Sequence, residues 1–228
     1  MKLQAEGLFV HDENGKLTFI NDPTEPEAYP APRFFLGFSE SDYVFRFRHD
    51  LPQHLCAQVK ELIQLKPPSM NLQGSPACAR EIEEILSSQV AIDKIWCGPA
   101  FWFPDRIEVA TEVVYVRRQN ADILESGFSD MIPELALTQP CVAILNEGKA
   151  VSVCQSVRKT PRAEEAGVDT LEAHRGRGCA SLVVAGWAAA VKAKGKIPFY
   201  STSWENRSSQ RVAKKLGLIQ FGVDYHVT

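Results

Sequence analysis

The residues best suited to chemistry are His174-Arg175-Gly176-Arg177-Gly178-Cys179-Ala180. Two glycines let a backbone turn close on an anion, because no Cβ stands in the way. The turn opens into an apolar stretch with helical spacing. Its N–H groups therefore coincide with a helix N-terminus, where unpaired donors and the positive dipole end attract phosphate. Arg175 and Arg177 add positive charge. This pattern predicts capture of a phosphorylated cofactor.

A proton acceptor is expected beside it. Along the strand before the turn, Glu165, Asp169 and Leu171 share one face, and Glu164, Val168 and Thr170 the other. A carboxylate so placed can take a proton from a reacting group, for about 10²–10⁴ in rate. Glu165 is the favoured base, with Asp169 assisting. The competing role for Glu165 is a charge pair with Arg158 or Arg162, and a one-residue change of register favours Glu164 instead.

Other glycine-rich turns are excluded by spacing. The dinucleotide pattern G-x-G-x-x-G fails at Ser181, and the P-loop pattern G-x-x-x-x-G-K-[ST] is absent. Six cysteines, at 56, 78, 97, 141, 154 and 179, form no CxxC pair and sit among only five histidines. They read as buried thiols in a reducing cytoplasm, with no metal site.

The elements that position these groups follow from pattern. Leu8–Val10 and Leu17–Ile20 flank Asp12-Glu13-Asn14-Gly15, a hairpin signal. A proline-rich connector, Pro23 to Pro32, precedes a strand at Tyr43–Arg48 and helices at Leu55–Leu65 and Arg80–Leu86. Val109–Val116 reads as a strand and Ala121–Phe128 as a short helix. Cys141–Leu145 and Ala150–Cys154 form a second hairpin around Asn146-Glu147-Gly148-Lys149. The strand to Leu171 and the turn lead into a helix from Ala180 to Lys194, ended by Gly195. A short strand Ile197–Tyr200, a helix Asn206–Leu216 and a final strand Ile219–Val227 complete the chain. Thr202-Ser203-Trp204-Glu205 reads as a capping box for that last helix.

Composition bounds the class. The 228 residues are 45% hydrophobic and 23% charged, ordinary for a globular protein. A net charge of −3 gives no global reason to bind nucleic acid or an anionic membrane. No apolar run approaches the roughly 20 residues of a membrane span.

Arg175, Gly178 and Ala180 spell R-x-x-G-x-A, which resembles the pyrophosphate loop of the GNAT superfamily of N-acetyltransferases. The resemblance continues through the strand–loop–helix–strand–helix order and Lys215-Leu216-Gly217-Leu218, from about residue 109 to the end. Glu165-Ala166-Gly167-Val168 and Tyr200-Ser201-Thr202-Ser203-Trp204-Glu205-Asn206 are similar to one bacterial subgroup.

This resemblance implies an α/β (α+β) fold with a mixed, mostly antiparallel central sheet flanked by helices. Residues 107–228 would be the catalytic core, and residues 1–106 an N-terminal α/β extension contributing to the substrate cleft. It implies acetyl-CoA as co-substrate, a small-molecule amine as acceptor, direct attack without a covalent enzyme intermediate, and a monomer or homodimer. Thr170, Leu171, Arg175, Gly176, Arg177, Gly178, Cys179, Ala180 and Asn206 would bind the cofactor, with a backbone N–H near Leu171 holding the oxyanion. The family often places a proton-donating tyrosine seven residues after that asparagine. Here that position is Ala213, and Tyr200, Ser203, Ser209 and Tyr225 are the substitutes. Ser209 joins Glu165 and Asp169 as a catalytic candidate.

Overall fold

The second hairpin forms as its pattern predicts, β7 (Cys141–Asn146) pairing with β8 (Lys149–Lys159) through a turn in which Glu147 and Gly148 both have positive φ. In this computed structural model, which describes residues 1–68 and 71–228, that hairpin lies within a nine-stranded sheet. The other strands are β3 (Phe34–Phe38), β4 (Tyr43–Phe47), β5 (Ile95–Trp102), β6 (Val114–Val116), β9 (Ala163–Thr170), β10 (Ile197–Ser201) and β11 (Ile219–Val227). Their order is β4-β3-β11-β5-β10-β9-β8-β7-β6. Every neighbouring pair is antiparallel except β9 and β10, which are parallel. A separate hairpin joins β1 (Phe9–His11) and β2 (Leu17–Ile20).

Side-chain alternation sorts the flanking elements onto two faces. On one face Phe34, Leu36, Phe38, Val223, Tyr225 and Val227 bury against α2 (Gln53–Leu65) and α3 (Ala79–Ser87). The same face, further along, packs Val142, Cys154 and Tyr200 on α4 (Cys179–Ala193) and α5 (Arg207–Lys215). The opposite face carries Phe35 and Val44, which close on α1 (Lys2–Leu8) and the β1–β2 hairpin through Ala5, Phe9 and Leu17. The mixed, mostly antiparallel sheet with flanking helices is the expected class.

Strand β11, from the end of the chain, is held between β3 and β5 from its first half. Three elements lie outside the pattern reading: α1, β3 and β5. The strand expected over Val109–Val116 is confined to β6 at the sheet edge, and the helix expected at Ala121–Phe128 is instead a 3-10 turn over Arg118–Leu124. The end of α4 is as expected, with Gly195 left-handed at φ 72°.

Candidate active site

The parallel pair β9/β10 creates the site by failing to continue. Their pairing spans only Ala163–Glu165 against Ile197–Phe199. Beyond it β9 stays with β8, while β10 follows β5. The gap opens into a cleft of about 630 Å³ lined by Val168 to Thr170, the loop from His174 to Ser181, Tyr200, Asn206, Ser209 and Lys215.

Register decides which backbone groups face this gap. The Leu171 N–H donates to the Val151 carbonyl at 2.9 Å. In an antiparallel ladder bonded and non-bonded pairs alternate, so Val168 and Thr170 point their N–H and C=O away from β8. Thr170 is already engaged. Its N–H donates to Asp169 Oδ1 at 2.6 Å and its carbonyl accepts from Arg175 Nε at 3.1 Å. Val168 is left with both groups toward the cleft. The Leu171 N–H itself is spent inside the sheet, so of the backbone N–H groups near it Val168's is the one that faces the cleft.

The loop has the form its glycines predict. Gly176 and Gly178 take φ of 74° and 87°, conformations that glycine adopts without strain. Gly178 is the N-cap of α4, and no side chain caps that helix, so the N–H groups of its first turn point outward beside Cys179 and Ala180. Lys215 crosses from α5 so closely that a Cβ on Gly178 would lie 2.6 Å from its Nζ. Arg175 turns back to brace the strand end, and Arg177 is exposed. Asn206 is the N-cap of α5, its Oδ1 accepting the Ser209 N–H at 3.0 Å. Its Nδ2 remains for other use. Asn206 thus replaces the expected capping box, while Ser203 Oγ and carbonyl accept the Asn206 N–H.

Ala213 is buried in the core, and a hydroxyl reaches the cleft from elsewhere. Tyr200 Oη lies 2.6 Å from Ser209 Oγ. Burial of the tyrosine pushes its pKa up to about 12. The family resemblance offers Ser209 and Tyr200 as separate substitutes for the missing tyrosine; the structure couples them.

Glu165 lies on the other face of the sheet, 6% exposed. Ser201 Oγ donates to its Oε1 at 2.8 Å, and Gln4 Nε2 approaches its Oε2 at 3.5 Å. Burial raises its pKa to about 7, against the hydrogen bonds from Ser201 and Gln4 that favour the charged form. Its expected helper is not there. Asp169 stands four residues further along β9, about 13 Å at the usual strand rise, and is exposed. The alternative base Glu164 points to the α4 face, where Ser156 Oγ at 2.5 Å, Lys196 at 2.9 Å and Lys194 at 3.7 Å hold it. Arg158 pairs instead with Asp22 at 3.3 Å. Among the described residues no group of three His, Cys, Asp or Glu side chains could hold a metal, and no helix is long and apolar enough to cross a membrane. All six cysteines are free.

A pair of parallel strands that separate over a glycine-lined helix start defines a class of sites for phosphorylated cofactors. Residues 140–227, which carry this whole arrangement, match the family model described as GNAT acetyltransferase. Over that segment, which is less than half of its length, the chain is similar to the GNAT acetyltransferases. No curated protein sequence matches the chain. Among solved structures, a GCN5-related N-acetyltransferase-like protein from Streptococcus suis is 16% identical, over 90% of this chain and 87% of its own, with a TM-score of 0.49. A GNAT-family acetyltransferase from Colwellia psychrerythraea is 11% identical, over 81% and 76%, with a TM-score of 0.45. A structure described as GNAT-family from Novosphingobium aromaticivorans is 17% identical with a TM-score of 0.46; the aligned region covers 60% of this chain and 65% of that one.

Proposed function

We propose that the protein moves an acetyl group from acetyl-CoA to a primary amine of a small molecule, by direct attack in a ternary complex. The observation that carries this reading is the opening of β9 from β10 just beyond Glu165 and Phe199. It lies between an anion-binding helix start and two sets of proton-handling groups. The loop fits coenzyme A on its own features: left-handed glycines at 176 and 178 and an uncapped helix N-terminus. Bound there, acetyl-CoA would supply the thioester carbonyl that the amine attacks.

The chain's residues then divide the work. Backbone N–H groups from Gly176 to Ala180 hold the pyrophosphate, with Lys215 adding charge. Thr170 and Leu171 keep the strand edge in register, and Val168 and the Asn206 amide hold the cofactor's arm. The Val168 N–H also faces the developing oxyanion. Glu165 receives the ammonium proton through Ser201, so the amine becomes nucleophilic. As the C–N bond forms and the C–S bond breaks, Tyr200, held by Ser209, would donate a hydrogen bond to the sulfur, and the proton released from the amide nitrogen would pass to the leaving thiolate to give the free thiol. The cover of α1 over the Glu165 face supports a small acceptor over an extended peptide.

The test is release of free thiol from acetyl-CoA with a panel of primary amines. Amine-dependent release with matching N-acetyl product is expected. Tight acetyl-CoA binding with no turnover on any amine would overturn the reading in favour of a binding module.

A further inference from the structure

Gln4, at the first turn of α1, is 1% exposed and polar. Its Nε2 reaches two carboxylates from strands far apart in sequence, Glu165 Oε2 at 3.5 Å and Asp224 Oδ2 at 3.1 Å. Strand β5, which lies between them, leaves room for the meeting, because the residue opposite Asp224 there is Gly98. Met1 anchors the helix: a Cβ on Gly37 or Gly222 would come within 2.7 or 2.3 Å of its side chain. Asn21 Nδ2 holds the other end through the Gly7 carbonyl at 2.8 Å.

Asp224 is fully buried, and its Oδ1 has no hydrogen-bond partner. A buried ionised carboxylate with a bare oxygen is costly, and two adjacent carboxylates resist ionising together. We propose that Gln4 is a positioning residue that ties Glu165 to Asp224, so that Asp224 keeps a proton while Glu165 is free to accept one. This rests on the reading of Glu165 as the base.

The remaining surroundings agree. Burial, then the Glu165 charge, raises the Asp224 pKa to about 8, above that of Glu165. The groups facing the pair are Ser201 from β10, Arg158 from β8, Gln4 and the Met1 amine from α1, and Tyr200 at longer range. Gln4 has two N–H donors and one acceptor. Turned toward two carboxylates, its donors stabilise the single negative charge that the pair carries, and Ser201 and Arg158, which act on Glu165, hold that charge there.

The experiment is the pH profile of kcat/KM, from pH 5.5 to 9.5, for the full chain and for Gln4→Leu, Asp224→Asn and Glu165→Gln. Gln4→Leu removes a donor from the charged base, so the acid limb should move up by about one pH unit, roughly tenfold in rate at pH 6. Acetyl-CoA affinity should not change. A uniform drop in rate with an unmoved midpoint would make Gln4 merely structural and overturn the proposal. Asp224→Asn should leave the acid midpoint in place, since the residue replaced is already neutral there. A fall of more than one unit would show that Asp224 was charged, and the shared-proton arrangement would fail even if Gln4→Leu does not fold. Glu165→Gln separates the two ideas: a rate kept near the parent's would remove the base itself, and a rate lost while the Gln4→Leu profile stays unmoved would overturn only the role of Gln4.

Discussion

Replacing Tyr200 by Phe tests the proton donor that Ala213 cannot be. The change removes one oxygen and leaves the ring in its place, 1% exposed and packed in the cluster that includes Ala213 and Trp187. Losing the bond to Ser209 costs about 1 kcal/mol of stability, so the variant should fold. The kinetic cost follows from acidity. A phenol near pKa 12 stands well above a thiol at about 8.5, so complete transfer to a leaving thiolate is uphill. The hydroxyl instead stabilises charge growing on sulfur, and a hydrogen bond to a charged group is worth about 1.5–3 kcal/mol. A fall in kcat of about 10- to 150-fold follows, short of the 10⁴ that a full general acid can give. The KM for acetyl-CoA should stay within about threefold, because the bond matters only in the transition state. Steady-state thiol release at pH 7.5, with circular dichroism to confirm folding, measures both. A kcat within threefold of the parent, or a loss confined to KM, would refute the assignment. The parent enzyme should also show no alkaline loss below about pH 10, since Tyr200 stays protonated there.

Gly178→Trp puts a side chain where even a Cβ meets Lys215, at a left-handed φ of 87°; calorimetric titration should lose acetyl-CoA binding while thermal unfolding shifts by only a few degrees. Ser201→Ala removes the hydroxyl 2.8 Å from Glu165, and kcat should fall about tenfold or more with cofactor affinity unchanged. Glu165 also sets a stability signature. Its folded pKa near 7 exceeds the usual 4.5, so between those values the folded state binds more protons and stability falls as pH rises, by about 3 kcal/mol for a shift of this size. Glu165→Gln should therefore exceed the parent in urea stability at pH 8 and lose that advantage by pH 4.

The loop half of the proposed site is legible in the sequence because its signals are local. Arg175 to Ala180, the α4 run and Asn206 each declare their conformation within a few residues. The half proposed to move protons is assembled across the sheet, and local pattern does not reach it. Gln4 meets Asp224 over 220 positions, and a seven-residue helix such as α1 gives too little periodicity to read. Strand β3, Phe-Phe-Leu-Gly-Phe, is buried throughout and so lacks alternation. Strand β5 was hidden by Pro99, which reads against a central strand. The structure shows why it is tolerated. Pro99 offers its carbonyl to Thr202 N–H at 3.2 Å, so its missing donor faces the side where β10 has just ended at Ser201.

Under the proposed mechanism, that ending also lets one short strand serve both proton movements. Successive side chains of a strand point to opposite faces, so Tyr200 turns toward Ser209 on the α5 side and Ser201 toward Glu165 on the α1 side. Both stand at the point where β10 leaves β9. A thioester passing through the gap would present its sulfur to one residue and its attacked face to the next. A tyrosine seven residues into α5 becomes unnecessary under this geometry, and a small residue there is required. Ala213 is buried in the cluster that receives the Tyr200 ring, and a larger side chain at 213 would displace that ring from Ser209. Ala213→Tyr should therefore lower kcat and stability together, and a gain in rate would place the donor back on the helix.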